Sequence, residues 1–95
     1  NALSSQGIAV VSAAVSPSRK QLIGEVRVEM HGITGGDDAF LTKQAIKSVT
    51  DSIRRELGNG RTGRELERAV KNTVYGVLWE RIRQRPMVIV NIISV

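Results

Sequence analysis

Two segments near opposite ends of the 95-residue chain are apolar on both faces, and they constrain the fold more than any other feature. Residues 6–15 place apolar side chains on both sides of an extended backbone, and residues 87–95 do the same. Pro86 separates the second segment from a preceding helical pattern, because the residue before a proline disfavours helix. Strands that are apolar on both faces are typical of positions covered twice, so residues 6–15 are predicted to be a central strand.

The segment 22–30 has the alternation of a strand with one wet face. Val26 and Val28 point one way, and Arg27 between them points the other way. One polar face suits a position at the edge of a sheet. The turn-forming residues 16–20 leave only a short connection, so the first two strands are predicted to form an antiparallel hairpin.

A helix is predicted over residues 39–57, with an apolar stripe at helical spacing. Asp37 or Asp38 can cap its first turn, because a carboxylate accepts hydrogen bonds from the free N–H groups there. Residues 58–60 (Gly-Asn-Gly) end it.

A second helix is predicted from a capping box at Thr62 and Glu65 to about Gln84. Its apolar surface is wider than one small sheet requires. One stripe comprises Leu66, Ala69, Val70, Thr73, Val74 and Val77, and a neighbouring one comprises Tyr75, Leu78, Trp79 and Ile82.

The resulting order is ββααβ, which predicts a single α+β domain over residues 1–95. Its two layers are a three-stranded sheet and two helices on one sheet face. The other sheet face and the surplus stripe of the second helix would stay uncovered, which favours an interface with another domain or subunit. The alternative is that these side chains simply fill a tight core. The candidate interface residues are Tyr75, Leu78, Trp79, Ile82, Ile89 and Ile93.

Catalytic chemistry is not expected within this chain. It has no cysteine, which excludes disulfides and thiolate metal sites and favours a reducing, cytoplasmic location. The one histidine, His31, is close in sequence to Asp37 and Asp38, but helix capping explains the two acids better than a metal site does. We therefore expect no catalytic residue, no cofactor and no metal here. No apolar run approaches the roughly 20 residues of a membrane span, so no membrane partner is expected.

Positive charge is concentrated in the second half of the chain. The net charge is +5, and eleven of the fourteen Lys and Arg residues lie within residues 43–85, against five acids. A basic face can attract RNA through phosphate contacts, whereas the alternative is an ordinary solvated helix surface. The candidate RNA contacts are Arg61, Arg64, Arg81, Arg83 and Arg85.

One glycine pattern supports a second hypothesis for RNA binding. Residues 60–63 (Gly-Arg-Thr-Gly) form a GxxG between two helices, the type of loop with which KH domains clamp a nucleic-acid backbone. A KH-like RNA-binding module acting through Arg61 and Arg64 is therefore an alternative function. The capping box explains Thr62 without RNA.

Three segments together resemble the C-terminal domain of ribonuclease J, over nearly the whole chain. Residues 6–8 (Gln-Gly-Ile) are similar to an Asp/Gly/Ile opening in that family, and residues 28–33 lie where the family has a strand ending in Ser-Arg-Gly-Phe. Residues 85–89 (Arg-Pro-Met-Val-Ile) resemble the family's Arg-Arg-Pro-Met-Ile segment. His31 departs from the pattern, since the family commonly has Arg there, and no role of that Arg is carried over.

The resemblance implies an accessory role in a larger ribonuclease. Ribonuclease J joins a metallo-β-lactamase domain and a β-CASP domain to such a C-terminal module, and the whole is a metal-dependent exo- and endoribonuclease, usually with zinc. The module would then support homo-oligomer assembly, with the catalytic domains of the same chain and, through them, RNA as partners. The family's His-x-His-x-Asp-His metal motif is absent from this sequence, so no catalytic residue is transferred. A protein-only adaptor for other RNA-decay components is a third possibility.

Overall fold

The computed structural model describes residues 7–33, 35 and 38–95. Within them the secondary structure follows the predicted ββααβ order. The elements are β1 (Ile8–Ser16), β2 (Gln21–His31), α1 (Ala39–Gly58), α2 (Gly63–Ile82) and β3 (Met87–Ser94).

The three strands form one mixed sheet in the order β2-β1-β3. β1 pairs antiparallel with β2 and parallel with β3. The α+β class, the central position of β1, the edge position of β2 and the hairpin are therefore confirmed. The parallel pairing follows from the two helices, because they return the chain to the end of the sheet at which β2 finishes and β1 starts, and β3 begins there.

Both helices cover the same face of the sheet. α1 packs against β2, α2 packs against β3, and the helices pack against each other. The alternate β1 residues from Ala9 to Val15 are buried beneath them. The helices contribute buried stripes whose members are spaced three or four residues apart, as one face of a helix requires. The stripes consist of Leu41, Ala45, Val49, Ile53 and Leu57 in α1 and of Leu66, Val70, Val74 and Leu78 in α2.

The opposite face of the sheet is not covered by any element of the described chain, and we call it the open sheet face. The other half of the strand residues lies there, so β1 is central in the sheet but covered on one side only. Its members are Ile8, Val10, Ser12 and Ala14 from β1, Ile23, Arg27, Glu29 and His31 from β2, and Met87, Ile89, Asn91 and Ile93 from β3.

One glycine joins the three strands at an end of the sheet. Gly7 has a φ of +81°, and its carbonyl oxygen accepts a 3.1 Å hydrogen bond from the N–H of Met87. A Cβ at Gly7 would lie 2.5 Å from the carbonyl oxygen of His31 and 2.6 Å from backbone atoms of Gly32. The start of β1, the start of β3 and the end of β2 thus meet where only a residue without a side chain fits.

The predicted helix ends are partly confirmed. Asp38 caps α1, because its Oδ1 accepts a 2.9 Å hydrogen bond from the N–H of Phe40. Its alternative, Asp37, lies outside the described residues. Thr62 is the N-cap residue of α2, as predicted, but its side chain makes no capping hydrogen bond, so the hydrogen bond expected of a capping box is not formed. The following residue, Gly63, has a φ of +60°, and this left-handed backbone departs from the geometry that brings a cap hydroxyl to the first helical N–H groups.

The second helix ends at Ile82, two residues before the predicted end. Arg83 adopts the left-handed conformation, with a φ of 54°, and its N–H donates to the carbonyl oxygen of Trp79 at 3.1 Å. Such a residue normally is glycine, so the sequence does not mark Arg83 as the stop, although Pro86 predicts that the helix ends before it. The reversal turns residues 83–85 back along the outside of α2.

Candidate interaction surfaces

The six candidate interface residues fall into three environments. Leu78 is 0% exposed within the core, so its assignment to a surface is corrected. It continues the line of Val70 and Val74 at four-residue spacing, which turns it toward the sheet. Tyr75 and Ile82 are half-buried against the core, and the remaining three candidates are exposed. The exposed fractions are 40% for Trp79, 39% for Ile89 and 67% for Ile93.

Ile89 and Ile93 belong to the open sheet face, on which the β1 and β3 residues are apolar except for the aligned pair Ser12 and Asn91. The strand register aligns Ile89 with Val10, and Ile93 with Ala14. Neither β1 nor β3 contains a charged residue. Charge is confined to β2, where His31 Nε2 lies 3.7 Å from Glu29 Oε1 at the solvent-exposed margin. The face is therefore uncharged over β1 and β3, with apolar side chains on either side of the Ser12–Asn91 pair, and its border at β2 is charged.

A second exposed feature surrounds Trp79 on the outer side of α2. Tyr75, Gly76, Trp79 and Arg85 line a surface cleft of about 510 Å³, which we call the Trp79 cleft. The guanidinium carbon of Arg85 lies 4.8 Å from the centroid of the Trp79 ring, and that of Arg83 lies 5.4 Å from it. Both distances are within the range of cation–π attraction.

Three of the five candidate RNA contacts thus lie beside aromatic rings. Besides Arg83 and Arg85, the Arg81 guanidinium carbon is 5.1 Å from the centroid of Phe40, at the start of α1. The sequence predicts that all the aromatic residues lie on helices. It has no strand in which aromatic and basic residues alternate. It does not reveal that the left-handed Arg83 folds the arginines back onto Trp79, because that conformation lacks a sequence signature.

Arg61, in the GxxG loop, is engaged within the fold. Its Nη1 lies 3.1 Å from Glu56 Oε1, and its backbone N–H donates to the Glu56 carbonyl oxygen at 2.9 Å. Glu56 is 8% exposed, and its other carboxylate oxygen lies 3.4 Å from Arg55 Nε. The carboxylate holds the interhelical loop against the end of α1, and this accounts for Arg61 without a ligand. Arg64 is exposed beside it.

We expect Arg61→Ala to lower the free energy of unfolding by about 1 kcal/mol, because it removes one partner of a nearly buried carboxylate. Urea denaturation measures this change. Arg64→Ala removes the same charge from the same loop without a Glu56 contact, so it serves as the matched control with a change near zero. Equal effects of the two variants would contradict a structural role for the Arg61–Glu56 pair.

Neither a metal-ligand cluster nor a membrane-spanning helix is found in the part of the chain that the structure describes. Over residues 7–33, 35 and 38–95, no group of three or more His, Asp or Glu side chains is arranged to hold a metal ion. In the same residues, neither helix has the length and apolar character that a bilayer-spanning segment requires.

Comparison with known proteins adds a family. The whole chain, residues 1–95, matches the family model described as the ribonuclease J C-terminal domain. No match is found among curated proteins. The match agrees with the resemblance of residues 6–8, 28–33 and 85–89 noted from the sequence.

Proposed function

The chain belongs to the ribonuclease J C-terminal domain family, and from this premise we propose that it is the assembly domain of a ribonuclease J chain. The domain itself is non-catalytic in this proposal. It holds protomers together as a homo-oligomer in the cytoplasm. RNA is degraded and processed by metal-dependent catalytic domains of the same chain, which would carry the zinc, so RNA is a partner of the parent enzyme.

The open sheet face is the observation that carries the proposal. Ile93 and Ile89 lie on it with much of their surface in water, although burying an isoleucine side chain fully contributes roughly 1.5–3 kcal/mol. Association itself costs about 4–15 kcal/mol, so several such side chains must be buried together. The aligned rows of β1 and β3 provide them on one face, where only the pair Ser12 and Asn91 is polar.

The same face suits a second copy of the chain. In a two-fold dimer the same patch appears on both partners, so it must be compatible with itself. β1 and β3 bring no charges to such a contact, and like-charge repulsion is absent from its centre. β2 offers both signs, Arg27 and Glu29, which can pair across a two-fold axis.

We expect the 95-residue chain to show a rising average mass with concentration in sedimentation equilibrium. The double variant Ile89→Arg and Ile93→Arg places two charges among the apolar side chains of the face. It should be monomeric at concentrations where the unmodified chain associates, with the Kd raised at least about 100-fold. Asn72→Arg, at an exposed polar position on α2, is the control for added charge and should associate normally.

Two results would overturn the assembly role of this face. One is a strictly monomeric unmodified chain at millimolar concentration. The other is an association that survives in the Ile89→Arg, Ile93→Arg variant with an unchanged Kd while circular dichroism shows the native fold.

A further inference from the structure

The Trp79 cleft has a shape that the packing of the domain does not explain. Trp79 is the only tryptophan of the chain, and it remains 40% exposed at the outer side of α2. Gly76 lies one turn before it, and a Cβ built there would meet nothing within 4 Å. Glycine in a helix interior lowers helix stability relative to alanine, and here no close contact requires it. Its effect is to leave an open floor between Tyr75 and Trp79.

The cleft is bordered by positive charge. Arg83 and Arg85 lie over the Trp79 ring at 5.4 and 4.8 Å. Within residues 79–86 the sequence has a single acid, Glu80. A ligand that fits must therefore combine a flat apolar surface for the ring with negative charge for the guanidinium groups.

We propose that the Trp79 cleft binds unpaired nucleotides of single-stranded RNA, by stacking a base on Trp79 and its arginines and by contacting the adjoining phosphates through Arg83 and Arg85. Stacking on aromatic rings and guanidinium planes, together with a basic border, is the recognition mode of single-stranded nucleic acid. A duplex keeps the faces of its bases inside the stack, so double-stranded RNA lacks the required surface. An acidic peptide would satisfy the arginines but not the exposed ring.

The Trp79 cleft is separate from the open sheet face, to which the assembly function is assigned above. It lies on the outer side of α2, whereas the open sheet face lies on the side of the sheet away from both helices. The Gly60–Gly63 loop is not part of it. Loss of RNA binding and loss of self-association can therefore be measured independently in the same chain.

The single tryptophan makes the test direct, because all intrinsic tryptophan fluorescence comes from the site. We expect a twelve-residue oligouridylate to quench this fluorescence saturably, and a double-stranded RNA of equal length to do so at least about tenfold more weakly. Oligothymidylate distinguishes RNA from single-stranded DNA of the same stacking chemistry. The slope of log K against log salt should be about −0.7 for each phosphate contacted.

Three variants locate the binding, with affinities measured by anisotropy of a labelled oligouridylate. Gly76→Leu fills the floor of the cleft while raising helix propensity, so the fold is kept and affinity should fall about tenfold or more. Arg83→Gln with Arg85→Gln should lower affinity similarly and reduce the salt slope by about 1.4, from two phosphate contacts. Arg19→Gln with Arg54→Gln removes the same charge from exposed positions elsewhere and should change affinity less than threefold.

Several outcomes would overturn the proposal. They are the absence of quenching by oligouridylate at millimolar concentration, an affinity that Gly76→Leu leaves unchanged, and an equal loss in the Arg19, Arg54 control. Equal affinity for oligothymidylate would overturn its restriction to RNA. Quenching that depends on the concentration of the chain and not on the oligonucleotide would assign the cleft to a protein contact instead.

Discussion

Gly7→Ala should lower the free energy of unfolding by about 3 kcal/mol or more, and the melting temperature by more than about 10 °C. Two causes add. An L-residue at a φ of +81° costs roughly 1–2 kcal/mol, and overpacking against rigid neighbours costs about 1–3 kcal/mol more. The neighbours are backbone atoms of His31 and Gly32 at 2.5–2.6 Å from the new Cβ, and they cannot rotate away as a side chain can.

Gly24 provides a matched control for this variant. It has a φ of +71°, close to that of Gly7, but a Cβ there would meet nothing within 4 Å. Gly24→Ala therefore keeps the backbone cost and removes the clash, and it should lower the free energy of unfolding by about 1 kcal/mol. Thermal and urea denaturation of both variants separate the two causes. Equal losses would show that the close approach at Gly7 contributes nothing.

Leu78→Ala should lower the free energy of unfolding by about 2–5 kcal/mol, since it leaves a cavity in the core between α2 and the sheet. The matched comparison is Ile93→Ala, which removes a similar aliphatic side chain from a position that is 67% exposed. Its effect on unfolding should stay below about 1 kcal/mol, because little buried surface is lost.

The sequence predicts both Leu78 and Ile93 as interface residues. The comparison of the two variants therefore tests which of them belongs to the core and which to the surface. Urea denaturation at low protein concentration, where the chain is monomeric, gives both values. A small loss for Leu78→Ala, or a loss for Ile93→Ala as large as that of Leu78→Ala, would contradict the packing described for α2.

The sequence predicts the elements well because their patterns are local. The spacing of Ala45, Val49 and Ile53 identifies the inner face of α1, and the alternation of Val26, Arg27 and Val28 identifies an edge strand with one polar face. Pro86 marks the start of the last strand to within one residue. Each of these signals depends on neighbours along the chain and not on the rest of the fold.

The candidate sites are harder to predict because they depend on contacts between distant segments. Leu78 is an exception, because its four-residue spacing from Val74 already places it in the buried stripe of α2. The Arg61–Glu56 pair depends on how the loop folds back on α1. The Trp79 cleft depends on the left-handed conformation of Arg83. Glycine is the usual sign of that conformation in a sequence, and residues 77–95 contain none.

The pairing of β1 with β3 has a consequence for how the domain folds. Ile8 is aligned with Met87, and the N–H of Val95 donates to the carbonyl oxygen of Val15 at 2.9 Å. Contacts between such widely separated residues require closure of nearly the entire polypeptide, which raises the entropic barrier and slows folding. The β1–β2 hairpin and the helical pair can form early from local interactions, so attachment of the last strand should be the late, rate-limiting event of refolding.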